Sequence, residues 1–339
     1  MPNTLVAPPV QRICCYFCEN HCNETEMRYT PDCRLMCLTC WVRQYFYCVV
    51  CGECEWRHSG HRSLSGGGYI CYNCRPNPET WDCKPMDVSI ATYASIGSKR
   101  KFGIELETSR CDNYRNVKGR TYFGAKYDYS VTGMEFFSPI LYGDEGLAEV
   151  DKLIEFAEGE DFEVNEDCGY HLHVDVRDET PVQLRHIAYA YAKAYPAWRG
   201  LVSAFRARES HYCHTPSYSA QSIKECRRIV DFCNGTDRYN YFNLAAYDRH
   251  KTFEVRIHDG TLHAKTIQYW VMAHTRFVDA VKDMTYNQID ELLAGSARKQ
   301  FAALCLIWDN ASGQRISEFY QRRFRVHSAS RYEDDECDD

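Results

Sequence analysis

Four Cys-x-x-Cys pairs open this chain: Cys15/Cys18, Cys37/Cys40, Cys51/Cys54 and Cys71/Cys74. Eighteen residues separate Cys18 from Cys37, and 16 separate Cys54 from Cys71. Each half has the spacing of a tetrahedral site in which four thiolates hold one zinc ion. The reason is geometric. Two cysteines with two residues between them can aim both sulfurs at one ion about 2.3 Å away, and a second such knuckle closes the tetrahedron. The pairing of the knuckles stays open at this point. Cys48-x-x-Cys51 overlaps Cys51-x-x-Cys54, and a cross-brace in which pairs alternate between two ions fits the same spacing. About two structural Zn²⁺ ions are expected, and they would supply the folding energy that so short a module cannot draw from its core.

Thirteen of the 20 cysteines fall before residue 84, although the chain has 339 residues. This shift in composition predicts a zinc-binding module over 1–85 and a linker over 86–98. A catalytic domain is expected over 99–326, then an acidic disordered tail over 327–339, where the sequence ends RYEDDECDD. The net charge of -7 argues against nucleic acid as a general partner. Apolar runs long enough to cross a membrane are missing, and the first residues lack a secretory pattern. A reducing, cytoplasmic setting follows, in which cysteines serve metals rather than disulfides.

Beyond Lys99 the periodicity changes. Segments 101–109, 134–140, 169–176, 239–244 and 252–258 alternate as strands, and 146–159, 181–205, 219–232, 264–284, 297–308 and 312–324 read as helices. Thr180 followed by Pro181 marks a helix start. Strands and helices that do not alternate strictly predict an α+β domain with a mostly antiparallel sheet and flanking helices. Gly-x-Gly-x-x-Gly and Walker A loops are both absent.

The strands carry their charges on one face. Glu105 and Glu107 stand at i and i+2. Glu135 interrupts an aromatic run. His171, His173 and Asp175 alternate with Tyr170, Leu172, Val174 and Val176, and Glu254, Arg256 and His258 repeat the device. If these strands share a sheet, their polar faces line one surface. Crowded carboxylates stay ionised only with cations among them, and oxygen-rich clusters suit Mg²⁺ or Mn²⁺. Arg256 and Arg238 add the forked donors that phosphate oxygens take. Metals, carboxylates and arginines on one surface describe phosphoryl transfer.

Taken in order, FGIELET, MEFFSP, CGYHLHVDV, RYNYFNL and FEVRIHDGTL resemble the amidoligase family of carboxylate–amine ligases over about residues 100–285. That resemblance implies a glutamine synthetase-like catalytic fold. It also implies an ATP- and Mg²⁺-dependent ligase that joins an acid to an amine through an acyl phosphate. By position, Glu105, Glu107, Glu135 and Glu254 would hold Mg²⁺ and His171 and His173 would meet metal or phosphate. Arg238 and Arg256 would neutralise the transferred group, and Asn243 would position substrate or phosphate. Amine and carboxylate substrates are implied, a peptide or protein among them. The amine's general base has no family counterpart here; Asp128 is a candidate by its place in the sequence.

Two other readings compete. A non-enzymatic zinc adaptor, RING-like ligase included, would act through protein contacts of the N-terminal module. A metal-dependent hydrolase would use His171, His173 and Asp175 as its ligands.

Overall fold

The computed structural model describes residues 12–30, 34–48, 54–56, 62–63, 69–70, 79–86, 91–128, 130–207, 213–310 and 316–335. The chain divides into two compact units, Met1–Pro78 and Glu79–Asp339.

The first unit is built from two-stranded ribbons. β1 (Arg12–Cys14) pairs with β2 (His21–Asn23), and β3 (Met27–Tyr29) with β4 (Leu35–Cys37). α1 (Leu38–Gln44) follows, then β5 (Tyr45–Tyr47) pairs with β6 (Cys54–Trp56) and β7 (Arg62–Ser63) with β8 (Tyr69–Ile70). Its core is small: Met27, Met36, Trp41 and Tyr45 pack around buried Cys15, Cys37 and Cys40. Trp41 satisfies its indole N–H on the Tyr29 carbonyl at 3.2 Å.

The second unit centres on six strands: β9 (Phe102–Glu107), β10 (Gly124–Lys126), β11 (Glu135–Phe137), β12 (Gly169–Asp175), β13 (Phe242–Asn243) and β14 (Thr252–Asp259). They form one sheet in the order β10-β11-β9-β12-β14-β13, antiparallel at every step. The helices are α2 (Gly143–Gly159), α3 (Pro181–Arg199), α4 (Ala204–Ala207), α5 (Ala220–Glu225), α6 (Ile229–Asn234), α7 (Ala246–His250), α8 (Ala264–Val281), α9 (Tyr286–Leu292), α10 (Ala297–Asn310) and α11 (Ile316–Asp335). This mixture of helices with an antiparallel sheet agrees with the α+β expectation.

One sheet face is apolar and covered by helices. Tyr170, Leu172 and Val174 of β12 are fully buried, and Tyr170 donates its hydroxyl to the Ile267 carbonyl of α8 at 3.3 Å. Burial of this kind is worth about 1.5–3 kcal/mol per large apolar side chain. Behind it, Trp198, Trp270 and Trp308 from α3, α8 and α10 are among the largest fully buried side chains. Thr180 caps α3 as its sequence suggests, accepting the Gln183 N–H, with Pro181 in the first turn.

Three boundaries differ from the sequence reading. Residues 79–85 belong to the second unit: Trp81 exchanges backbone bonds with Ala125 at 3.0 Å. The expected linker over 86–98 is packed where it is described. Ile96 is fully buried, Asp144 of α2 accepts the N–H groups of Ser95 and Ile96, and buried Arg276 donates to the carbonyls of Ser95, Ile96 and Trp308. The segment carries no periodic pattern of its own, because the contacts that fix it come from α2, α8 and α10. The expected tail over 327–339 is helical as far as Asp335 within α11, and residues 336–339 lie outside the described residues.

Candidate active site

The second face of the sheet lines a cavity of about 600 Å³. Glu105, Glu107, Glu135, His171, His173, Arg238, Asn243, Glu254 and Arg256 all border it. The sheet register explains the convergence. Glu135 sits opposite both Glu107 and Lys126; Glu105 sits opposite His171; His173 sits opposite Glu254, which pairs on its other side with Asn243.

The acidic residues form two groups. Glu105, His171 and Glu254 bring ligand atoms within 4.8 Å of one another, and Glu107, Asp128 and Glu135 do the same. The four glutamates taken together from the sequence are thus split two and two, with His171 completing one set and Asp128 the other. Asp128 was reachable only as a neighbour in sequence, because the turn that brings it to Glu135 leaves no periodic signal. It accepts the Ser130 N–H at 2.6 Å.

Electrostatics follow the same division. Burial opposes ionisation of Glu105, but hydrogen bonds from His171 and His173 hold its carboxyl well below the usual range. Glu254 is likewise held low, against burial, by Arg256, whose Nη1 donates to Oε1 at 2.6 Å, and by His173 and His171. His173 is pushed above its ordinary value: burial works against the imidazolium, while Glu105 and Glu254 outweigh it. Its Nδ1 meets Thr252 Oγ1 at 2.9 Å. Glu135 goes the other way, pushed up to about 9 by burial and by the charge of Glu105. The ammonium of Lys126 lies 2.6 Å from Glu135 and 3.6 Å from Glu105, bridging the two sets. A donor set of carboxylate oxygens that ionises fully only beside a cation, with a buried Asn243 Oδ1 lacking a hydrogen-bond partner next to it, fits hard divalent ions.

Two expectations are corrected. Glu254, Arg256 and His258 do not share a face. The register passes from Tyr170↔His258 to Leu172↔Val255, so β14 carries an extra residue there. That bulge turns His258 to the helix side, where its ring meets Tyr170 at 5.4 Å and Trp270 at 4.7 Å, while Arg256 stays on the cavity. Asp175 does not join His171 and His173. It lies at the far end of β12, bound to Arg177 at 2.8 Å, and borders a different cavity with Arg100 and Lys101. A hydrolase triad of those three has no common point here.

Arg238 is exposed at the cavity mouth with its guanidinium over the Tyr239 ring. Lys126 and Arg206 also border the cavity and were missed. Lys126 sits on β10, a three-residue strand too short to show alternation, and Arg206 lies in a segment that reads as the end of a helix.

In the first unit, Cys15, Cys18, Cys37 and Cys40 converge, with ligand atoms within 4.8 Å of one another and the sulfurs of Cys18 and Cys37 3.8 Å apart. The first two knuckles therefore share one site, the sequential option rather than the cross-brace. Cys15 accepts the Cys37 N–H at 3.2 Å; burial raises its thiol, but this and further backbone N–H groups bring it down to about 6. Cys40 is pushed up to about 12 by burial and neighbouring thiols. Thiols this crowded, one poised as a thiolate, suit Zn²⁺. Of the second expected set, Cys54 lies on β6, and Cys51, Cys71 and Cys74 lie outside the described residues.

Against known families, a model described as "Putative amidoligase enzyme" matches residues 112–278, a span that includes Glu135, His171, His173, Glu254 and Arg256. Over residues 112–278 the chain is similar to the amidoligase family. The match begins after β9, so Glu105 and Glu107 lie outside it and reach the cavity through sheet pairing. Among solved structures, one titled "Apo GmaS without ligand" is similar over 70% of this chain and 71% of that chain, at 10% identity and a TM-score of 0.37. No curated protein matches. Among the described residues, no helix is long and apolar enough to cross a membrane.

Proposed function

We propose that the second unit is an ATP- and Mg²⁺-dependent carboxylate–amine ligase that forms an amide bond through an acyl phosphate. The observation that carries this reading is the pair of adjacent oxygen-rich donor sets on one sheet face, beneath a cavity that arginines border. Glu105, Glu254 and His171 would hold one divalent cation, and Glu107, Asp128 and Glu135 a second. When bound, ATP and its cations supply the activated phosphoryl group and neutralise charge on the acid.

The chain's own residues do the positioning. Arg256, fixed by Glu254, and Arg238 at the mouth offer donors to phosphate oxygens. His173, kept protonated to higher pH by its glutamate neighbours, adds a further cationic donor. Asn243 anchors Glu254 through its amide N–H at 2.6 Å and leaves its carbonyl free for a ligand donor. Lys126, whose ammonium stands between Glu135 and Glu105, would yield its place as cations enter. The Cys15/Cys18/Cys37/Cys40 set would hold structural Zn²⁺ in the first unit, which we read as a docking module for a protein or peptide substrate.

ADP and phosphate release by the zinc-loaded full chain, with ATP, Mg²⁺ and pooled acids and amines, tests the reading. Turnover should need both an acid and an amine and vanish in Glu254→Gln. ATP hydrolysis indifferent to both pools, or no ATP binding at all, would reject ligation and favour the adaptor.

A further inference from the structure

Arg206 is 7% exposed and borders the cavity, yet no carboxylate of the described residues lies within ion-pair distance of it. Its Nη2 donates to the Arg256 carbonyl at 3.2 Å, and its buried Nε has no hydrogen-bond partner. Arg256, by contrast, is committed to Glu254, and Arg238 stands in solvent at the mouth. A guanidinium cannot shed its proton, so a buried one without an ion-pair partner pays desolvation with only the Arg256 carbonyl to offset it.

The surroundings are built to keep it there. The Arg206 N–H donates to Ser203 Oγ at 3.1 Å, and the Ser203 N–H donates to Asp259 at the end of β14, also at 3.1 Å. Room for the side chain comes from Gly169. A Cβ at that position would stand 2.3 Å from Arg206 Nη2 and 2.9 Å from His171 Nε2. The glycine thus lets the guanidinium lie beside the histidine of the first donor set.

We propose that Arg206 is a specificity-determining residue that receives an oxyanion of the ligand, a carboxylate or a phosphate, by a forked pair of charge-assisted hydrogen bonds. If the oxyanion belongs to the acid, it is a second acidic group beside the one that reacts, and the acid substrate is a dianion. If it belongs to the nucleotide, Arg206 is a phosphate contact. The choice of these anions rests on the ligase reading.

Isothermal titration of the zinc-loaded full chain separates the sources. One arm uses a non-hydrolysable ATP analogue with Mg²⁺. The other uses straight-chain dicarboxylates from malonate to adipate, each against the monocarboxylate of equal length. Arg206→Gln should weaken binding in one arm by at least about tenfold. Arg206→Lys should recover little of it, because an ammonium cannot reproduce the fork. Gly169→Ala, whose methyl meets only the tips of two side chains, should fall between wild type and Arg206→Gln, and it carries the test if Arg206→Gln does not fold. Binding within twofold of wild type in both arms for every folded variant overturns the proposal, and so does a wild-type chain that binds none of these anions. The titration needs no turnover, so its failure and the failure of ligation are read separately.

Discussion

The two donor sites of this chain are assembled by opposite means. The thiol site is local: two knuckles, each with its ligands three residues apart, meet because β3 and β4 bring Cys37 back to Cys15. The carboxylate site is remote: Glu105, Asp128, Glu135, His171 and Glu254 come from four strands and a turn. A local site needs metal to hold its short ribbons, whereas a remote one rests on a core that already exists. The largest expected effect tests this contrast. Chelating zinc, or replacing Cys37 with Ser, should unfold the first unit. A structural zinc site contributes about 10–16 kcal/mol of apparent binding energy that doubles as folding energy. The second unit should keep its cooperative melt, followed by near-ultraviolet dichroism of its buried tryptophans. Loss of both units together would break the comparison.

Next in size is the reverse experiment. Glu254→Gln removes a charged ligand and the carboxylate charge that faces Arg256. Activity measured as acid- and amine-dependent ADP release should fall about 10²-fold or more, while zinc content stays unchanged. Glu107→Gln should do the same from the other donor set. A variant that loses zinc as well would couple sites that the contrast keeps apart.

The contrast also explains what the sequence could and could not reveal. Knuckle spacing is fixed by local backbone geometry, so the Cys15/Cys18/Cys37/Cys40 site was legible, though not how its pairs combine. Strand alternation exposed Glu105, Glu107, His171, His173, Glu254 and Arg256, because period-two patterns survive without tertiary context. Alternation fails at a bulge. His258 keeps the right parity on paper and lands on the helix side, since β14 inserts one residue opposite β12. Asp128, Lys126 and Arg206 sit on a turn, a three-residue strand and a four-residue helix, elements too short to carry a period. Residues 86–98 were misjudged for a related reason: Arg276, from 180 residues on, fixes their carbonyls.

A smaller effect sharpens the bulge. His171→Asn should lower Mn²⁺ affinity about tenfold with little change in melting, while His258→Phe should leave Mn²⁺ affinity alone and shift stability by about 1 kcal/mol. Calorimetry with Mn²⁺ and thermal melts of both variants decide it. If His258→Phe weakened Mn²⁺ as His171→Asn does, both histidines would face the cavity and the register would be wrong.

The smallest effect is a slope. The Glu135 carboxyl stands at about 9 in the folded chain against an ordinary 4.5. Between those values the folded state keeps a proton that the unfolded state has released. Its contribution is therefore fully present below the ordinary value and is lost as pH rises towards the folded one. With Mg²⁺ withheld and zinc left in place, so that the thiols of the first unit do not titrate, the melting temperature should decline from about pH 7.5 to about pH 8.5. Glu135→Gln should remove most of that decline. Glu105 and Glu254, held below 4.5, contribute stability above that value and lose it only in acid, so they leave this window flat. His173, raised above 6.5, has the same sign as Glu135, whereas His250, His258 and His274, held below 6.5 by burial, gain stability as pH rises through that value, so the slope is read above about pH 7.5, where they no longer change. Mg²⁺ should flatten the wild-type curve, because a cation beside Glu135 favours the ionised form. A Glu135→Gln curve as steep as wild type would mean that Lys126 alone keeps the carboxylate charged, and the second donor set would then hold its own cation without any metal.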